Sequence, residues 1–583
     1  MGDEQHESQI TNEIIRKPQY IETPNLADYD KTYRSFTWDD ARKEIDYFAN
    51  GKLNVAHNAI DRHALTWRKN KVAMYWEGQN GEKEKYTFTE LKFLTNKFAN
   101  VLANLGIQKG DRVFIFLPRI PQLYIAFLGI IKTGAIAGTL FSAFGPAALK
   151  DRLHDSGAKA IITCNELKQR VYDVRNELPE LKHIIIADKD SGQGEVNFHA
   201  ELDKASRNFN VAHMDPNDIA FMLYTSGTTG KPKGVVHSHG DIVQEHLSAK
   251  WALDLHENDV FWCTADPGWV TGIVYEILGT WSNGISQIIH AGRFDPEKWY
   301  SIIQDYQVTV WYTAPTAIRM LMKAGMDALK KYDLSSLRDI NSVGEPLNPE
   351  AIRWGEKAFG LPFHDGWWQT ETGSILICNY PVLPVKIGSM GKPFPGITAA
   401  IIDDNGNVLP PETEGNLAIK AGWPAMMKGI WNNEEKYRSY FKGEWYLSGD
   451  RAFMDPDGYF WFVGRADDVI KTSGERVGPF EVESALVEHP AIAEAGVIGK
   501  PDAERGAIIK AFCTLKPGFV GDDNLKSEIQ KFIKSRLAGH AYPREIEFVA
   551  SLPKTRSGKI MRRILKAKEL GEPIGDTSTL EEY

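Results

Sequence analysis

The feature that most constrains the fold is the alternation of two hydrophobic periods through the first two-thirds of the chain. After Thr89, apolar residues recur at Leu91, Leu94, Phe98, Val101, Leu102 and Leu105, one face of a helix capped by Thr89 and stopped by Gly106. The run 112–117 is continuously apolar apart from Arg112 and predicts a buried strand closed by Pro118; helix follows over 121–133 and 149–154, and strand over 158–163. Helix and strand in turn imply α/β architecture with largely parallel sheets. From about 385 the texture shifts to short strands and Asn-Gly turns, as in Ile401-Ile402-Asp403-Asp404-Asn405-Gly406. Near 465 it shifts again. Strands at 497–498 and 511–515 and a helical face of Leu525, Ile529, Phe532, Ile533 and Leu537 predict a small α+β unit, with a frayed tail from Gly571.

A chain of 583 residues exceeds one ordinary core, so several domains are expected. Hydrophobic residues at 43 % and charged residues at 25 % exclude a wholly disordered chain. A net charge of -9 speaks against non-specific nucleic-acid binding, which needs phosphate neutralisation. The 4 cysteines, Cys164, Cys263, Cys378 and Cys513, form no CxxC pair and indicate neither a disulfide framework nor a zinc site, which fits a reducing cytoplasm. The polar, acidic start lacks the pattern of a signal peptide, and His6 stands where a myristoylation motif needs Ser or Thr. The most apolar run, 123–131, is too short for a membrane span and ends at Lys132, so a core helix is expected.

Three stretches carry chemistry. In Tyr224-Thr225-Ser226-Gly227-Thr228-Thr229-Gly230-Lys231-Pro232-Lys233-Gly234, glycines let backbone N–H groups turn toward an anion, hydroxyls add donors and lysines add charge. That composition suits a polyphosphate clamp, although the spacing is not that of a Walker A loop, and a surface turn is the competing reading. Asp365-Gly366-Trp367-Trp368-Gln369-Thr370-Glu371-Thr372-Gly373 joins two rigid indoles to hydroxyls and a carboxylate able to hold Mg²⁺ beside phosphate; plain core tryptophans compete with that reading. In Leu552-Pro553-Lys554-Thr555-Arg556-Ser557-Gly558-Lys559-Ile560, Lys559 can carry charge to a reacting anion, against a solvated basic loop.

Taken in order with Gly344-Glu345-Pro346, Ser448-Gly449-Asp450, Gly464-Arg465-Ala466-Asp467-Asp468 and Ser473-Gly474-Glu475-Arg476, these stretches resemble the AMP-forming acyl-CoA synthetases of the adenylate-forming superfamily over nearly the whole chain. The resemblance implies a large N-terminal domain, 1–466, of two α/β subdomains and a β-barrel-like subdomain, and a small mobile α+β C-terminal domain, 467–583. It implies two half-reactions: a carboxylate attacks the α-phosphate of MgATP to give acyl-adenylate and pyrophosphate, and the thiol of coenzyme A then displaces AMP. Two anions must meet in the first, so catalysis rests on charge neutralisation and alignment.

By position, the resemblance implies that Thr225, Ser226, Gly227, Thr228, Thr229, Gly230, Lys231 and Lys233 hold the β- and γ-phosphates, and that Gly344, Glu345 and Pro346 lie against adenine. Asp365, Gly366, Trp367, Trp368, Gln369 and Thr370 complete the nucleotide site; Asp450 accepts the ribose hydroxyls, and Arg465 and Arg476 are further contacts. The implied catalytic set is Lys559, Thr370 at the α-phosphate and Glu371 on Mg²⁺. Asp467 is the implied hinge, whose rotation exchanges Lys559 for a face containing Ser473 and Gly474, where the missing Cβ lets the pantetheine arm pass. Val487, His489 and Ile492 fall where the family binds a structural cation, partly through carbonyls. Val270, Thr271 and Trp368 match the acyl pocket, and the wide indole favours acetate over longer acids, with propionate a slower substrate. Thr271 also belongs to the coenzyme A set with Ser473, Gly474 and Lys534.

Two positions depart from the family. The region 187–198 has one basic residue where longer members carry an Arg/Gly-rich segment, and Lys534 replaces an arginine at the 3′-phosphate of coenzyme A, a point charge in place of a bidentate fork. The implied partners are small molecules (acetate, ATP and coenzyme A), with neither nucleic acid nor membrane, and a lysine acetyltransferase and deacetylase acting on Lys559. Monomer and homo-oligomer both stay open. Competing readings are a ligase for propionate or another short or medium-chain acid, and a non-catalytic nucleotide-binding protein.

Overall fold

A computed structural model of the chain describes residues 13–15, 22–225, 232–472, 475–502, 505–537, 541–555, 559–574, 577 and 580, with the main chain alone for Glu475 and Arg476. The architecture is α/β. The first large sheet has the strand order Gly429–Ile430, Lys233–Ser238, Ile219–Thr225, Ile136–Thr139, Arg112–Ile115, Ala160–Thr163, His183–Ile186 and Val196–Asn197. From Ile219–Thr225 to Val196–Asn197 it is parallel, with antiparallel strands added at one edge. The second has a parallel centre, Phe363–Trp367, Asp339–Ser342, Val310–Thr313, Val260–Cys263, Ser286–His290 and Val72–Glu77, flanked by antiparallel strands. A five-stranded antiparallel sheet over 399–465 completes the large unit.

The central strands are buried on both faces, as parallel sheets under helices require, and so read as apolar runs without alternation. One core joins both α/β sheets and reaches into the antiparallel sheet, from Leu26 to Phe460. A separate core, including Ile470, Val482, Leu486, Val497, Ala511, Ile529 and Ile533, lies beneath the hairpin Ile492–Asp502/Gly506–Leu515 and the parallel strand Glu545–Phe548. The helix Asp523–Arg536 presents the face expected of it.

Local departures have local causes. The helix predicted after Thr89 is Phe88–Asn104, and its cap is Thr87: the Thr87 hydroxyl accepts from the Glu90 N–H at 3.2 Å while the Glu90 carboxylate accepts from the Thr87 N–H at 2.7 Å. The strands predicted over 112–117 and 158–163 shorten to Arg112–Ile115 and Ala160–Thr163. The apolar run at 123–131 lies in the core helix Pro121–Lys132, and no helix among the described residues is long and apolar enough to cross a membrane. Lys132, at its end, is 0 % exposed and donates to Asp61 at 2.6 Å and to Asn96 at 2.7 Å. All four cysteines are free and buried. Gly571, at φ +66°, closes the helix Arg562–Leu570. Part of the tail expected to fray lies outside the described residues, but Leu580 bridges back to Thr555.

Candidate active site

Many of the described residues singled out above stand just beyond strand ends of the two large sheets, the usual place for a ligand in open α/β sheets. Thr225 ends its strand opposite Lys233; Val270 and Thr271 follow Val260–Cys263; Gly344, Glu345 and Pro346 follow Asp339–Ser342; Trp368 to Glu371 follow Phe363–Trp367. The antiparallel sheet contributes Asp450 and Arg465, directly opposite each other in register, and the C-terminal unit contributes Lys559. Ser226, Gly227, Thr228, Thr229, Gly230 and Lys231 lie outside the described residues, as do Ser473, Gly474 and the side chain of Arg476.

The best-defined corner surrounds Asp450. Its Oδ2 accepts from Trp367 Nε1 at 2.9 Å and Gln369 Nε2 at 3.1 Å, and its Oδ1 from Arg465 Nη1 at 2.9 Å. Tyr446 donates to Gln369 Oε1 at 2.7 Å, which fixes the amide orientation. Burial raises the Asp450 carboxyl's pKa, and Arg465 opposes that shift. Arg465 itself loses solvation, yet its pKa rises because Asp450 favours the charged form.

Beside it runs a chain of polar contacts. Lys233 Nζ donates to the Tyr440 hydroxyl at 2.7 Å, which donates to Glu371 Oε1 at 2.9 Å. Burial lowers the Lys233 ammonium's pKa, with Glu371 opposing. The Thr225 hydroxyl is buried with no hydrogen-bond partner among the described residues, and it can donate to an anion's oxygen. Sequence reasoning missed His237. Its Nδ1 faces Asp241 at 2.8 Å and its Nε2 faces the Thr370 carbonyl at 2.8 Å. Gly373, at φ +72°, leaves no room for a side chain, because a Cβ there would stand 2.0 Å from the Ala425 carbonyl oxygen. The Thr370–Gly373 turn is thereby held down.

Trp368 is buried. Its Nε1 donates to the Tyr312 hydroxyl at 3.3 Å, and its ring meets Tyr275 edge-on at 5.1 Å. Tyr275 lies on the π-helical turn Gly272–Leu278 that follows Val270 and Thr271, and its hydroxyl accepts from the Ile375 N–H at 2.8 Å. Neither tyrosine stands near Trp368 in sequence, so periodicity carries no sign of this packing.

Glu345 is pinned by Thr316 at 2.7 Å and Arg319 at 2.8 Å, which turns the Gly344-Glu345-Pro346 segment. Gly344 has φ +94° and open space where a Cβ would project. Asp365 is buried, and desolvation raises its carboxyl to about 7 despite a bond from the Gly366 N–H.

Lys559 sits on a hairpin whose arms pair Lys554 with Ile560. Its N–H donates to the Thr555 hydroxyl at 3.0 Å, and its carbonyl accepts from the Thr555 N–H at 2.7 Å. Its ammonium has no ion-pair partner among the described residues. The residue is exposed by area, yet protein crowds the ammonium enough that desolvation and then Arg465 lower its pKa, with Asp450 and Glu345 opposing.

The remaining sequence-predicted residues are less gathered. Lys534 lies over Tyr542, 4.0 Å from the ring centroid, far along the C-terminal unit's own helix. The His489 side chain is committed: its Nδ1 accepts from the Ala491 N–H at 3.2 Å, and its Nε2 lies 3.6 Å from Glu528. Burial lowers its pKa. A cation here would rest on main-chain carbonyls, and no cluster of three metal-ligating side chains occurs among the described residues. Asp467 lies 3.7 Å from Arg465 at the end of the last antiparallel strand.

Residues 60–431 match the AMP-binding enzyme family, and 481–559 its AMP-binding enzyme C-terminal domain. An acetyl-coenzyme A synthetase of Bacillus subtilis is 58 % identical over 562 residues, 96 % of this chain and 98 % of that one. Another, from Methanothrix thermoacetophila, is 45 % identical over 92 % of this chain and 86 % of its own. Among solved structures, a Brucella canis acyl-CoA synthetase is 36 % identical with a TM-score of 0.74, covering 93 % of this chain and 99 % of that one. An anthranilate CoA ligase in complex with anthranoyl-AMP is 31 % identical with a TM-score of 0.84, covering 92 % and 99 %.

Proposed function

The chain belongs to the AMP-binding enzyme family and, within it, to the acetyl-coenzyme A synthetases; from that premise we propose how its residues divide the work. It is an AMP-forming acid–thiol ligase that joins acetate to coenzyme A at the expense of ATP. In the first half-reaction an acetate oxygen bonds to the α-phosphorus and the bond to pyrophosphate breaks. In the second the thiol sulfur bonds to the acyl carbon and AMP leaves.

The observation that carries the residue assignment is the Lys559 ammonium, without an ion-pair partner among the described residues and electrostatically close to Asp450, Arg465 and Glu345. A cation with no carboxylate of its own suits the meeting of acetate and α-phosphate, and its value grows as water is excluded. Asp450 takes the ribose. Three donors already occupy its oxygens, so a diol seats when one of them turns away. Thr225 and Lys233, with the adjoining glycine-rich loop, take the outer phosphates, and Thr370 the α-phosphate. Glu371 keeps one oxygen free of Tyr440 and fits Mg²⁺, which usually binds one or two carboxylates, water and phosphate oxygens. Bound Mg²⁺ would screen the polyphosphate's charge. Trp368, braced by Tyr275 and Tyr312, limits the acid's length, which favours acetate.

The domain boundary at 466/467, the pivot at Asp467, the passage of coenzyme A by Gly474 toward Lys534 and a cation at Val487, His489 and Ile492 complete the reading. Acetylation of Lys559 removes the charge the first step needs. A cytoplasmic location accords with four free thiols. The test is AMP formation by the purified protein across a panel of acids. AMP that appears with acetate, ATP, Mg²⁺ and coenzyme A, and falls off with longer acids, supports the reading; no AMP with acetate ends it.

A further inference from the structure

The strand ends of the two large sheets are joined by a buried cluster that the scheme above does not use. Arg119 lies beyond the first sheet's strand Arg112–Ile115 and reaches the second. Its Nη2 donates to the Cys263 carbonyl at 3.0 Å and to the Glu276 carboxylate, and its Nη1 to the Thr264 carbonyl at 3.4 Å. Its own carbonyl accepts from Trp76 Nε1 at 2.8 Å, on the second sheet's strand Val72–Glu77. The Tyr124 hydroxyl, from the helix Pro121–Lys132, holds the other oxygen of Glu276 at 2.9 Å. Arg119 is largely and Glu276 wholly buried.

The contacts bracket one segment. Cys263 and Thr264 immediately precede residues 265–271, the wall that carries Val270 and Thr271, and Glu276 follows it on the π-helical turn Gly272–Leu278. One guanidinium therefore grips both ends of that wall. The wall's backbone is closely packed: a Cβ on Gly272 would stand 2.5 Å from the Pro267 nitrogen, and one on Gly268 2.8 Å from Phe141 Cα. The same turn places Tyr275, next to Glu276, against the indole of Trp368. A π turn is rare and tends to occur at functional sites, and a buried ion pair adds little net stability over an apolar pair of equal volume. Register is the return such a pair can give.

We propose that Arg119 and Glu276 are positioning residues that hold the 265–271 wall and the Tyr275–Trp368 contact in place, and so set the affinity and size selectivity for the carboxylic acid. The inference rests on the reading of this site as one that activates acetate. Arg119→Met with Glu276→Gln removes both members of the pair together, so neither is left without the other. Its KM for acetate rises roughly tenfold, less than the roughly 10²-fold that a 1 Å misplacement can cost. Its KM for ATP stays within about twofold, and its preference for acetate over butyrate narrows. Tyr124→Phe, which deletes one hydroxyl and no charge, shifts the same two quantities in the same direction by a smaller factor, and decides the matter if the double variant does not fold. Folded variants with unchanged acetate KM and acid profile, or with equal rises for acetate and ATP, overturn the proposal. Wild-type protein that fails to consume acetate would instead overturn the reading of the site itself.

Discussion

The Asp450 corner and the Lys559 hairpin face the same crevice and are built on opposite plans. Around Asp450 every group is answered: two indole and amide donors on one oxygen, a guanidinium on the other, and Tyr446 behind the amide. Lys559 is held through its main chain, and its ammonium is answered by no carboxylate among the described residues. The closed network suits a ligand bound the same way throughout, because all but the one donor that yields to the ribose stay in place. The open charge suits a group required in one step and withdrawn for the next. The contrast also places the cost: burial raises the pKa of Asp450 and of Asp365, on the strand Phe363–Trp367 that ends at Trp367, while the hairpin keeps a cation in an environment that lowers its pKa.

Each side of the contrast can be broken separately. Lys559→Ala lowers acid-dependent pyrophosphate exchange by roughly 10²–10³-fold, the scale of losing one aimed charge or donor at a transition state. The rate from supplied acetyl-adenylate and coenzyme A stays within about an order of magnitude of wild type. Equal losses in both assays would merge the hairpin with the fixed corner.

Asp365 tests the cost of the fixed side. Its folded carboxyl lies at about 7, above its ordinary 3.8, so the folded state keeps a proton that the unfolded chain has released across that window. Stability from this group is therefore greatest at low pH and is lost as pH rises toward 7. Asp365→Asn removes the dependence, so its unfolding free energy gains on wild type by roughly 2–4 kcal/mol between pH 4 and 7, at about 1.4 kcal/mol per unit. A difference that stays flat with pH in paired denaturant titrations refutes this.

Asp450→Asn weakens charged hydrogen bonds worth about 1.5–3 kcal/mol, so the KM for ATP rises roughly 10- to 100-fold. Unlike Lys559→Ala, it impairs adenylation and thioester formation alike. The smallest effect is on selectivity: Trp368→Gly improves C4 acids over acetate by roughly tenfold, read from kcat/KM across the acid panel. An unchanged profile would remove the indole from the pocket wall.

In both regions the reacting residues and their braces differ in how plainly the sequence displays them. Glu371, Asp450, Arg465 and Lys559 stand in short motifs whose residue types match their chemistry, and the change of texture near 465 precedes the C-terminal unit's own core, which starts at Ile470. What braces those residues is long-range. His237 reaches Thr370 across 133 positions, and Arg119 reaches Glu276 across 157. Hydrophobic periodicity reports which face is buried and carries nothing about such partners. Thr87 is a different kind of miss: Glu90 three residues on was a readable capping signal, and Thr89 lay closer to the apolar period. The glycine-rich loop, the most conspicuous motif of all, falls at 226–231, outside the described residues.

The buried Lys132 makes the centre of the first large sheet's helical cover depend on chain far upstream. The ammonium at the end of that apolar helix lies out of water. The anion that answers it, Asp61, comes from 71 positions earlier. Replacing Asp61 alone would strand a charge in the core, a loss of about 3–5 kcal/mol, although the two residues belong to different elements.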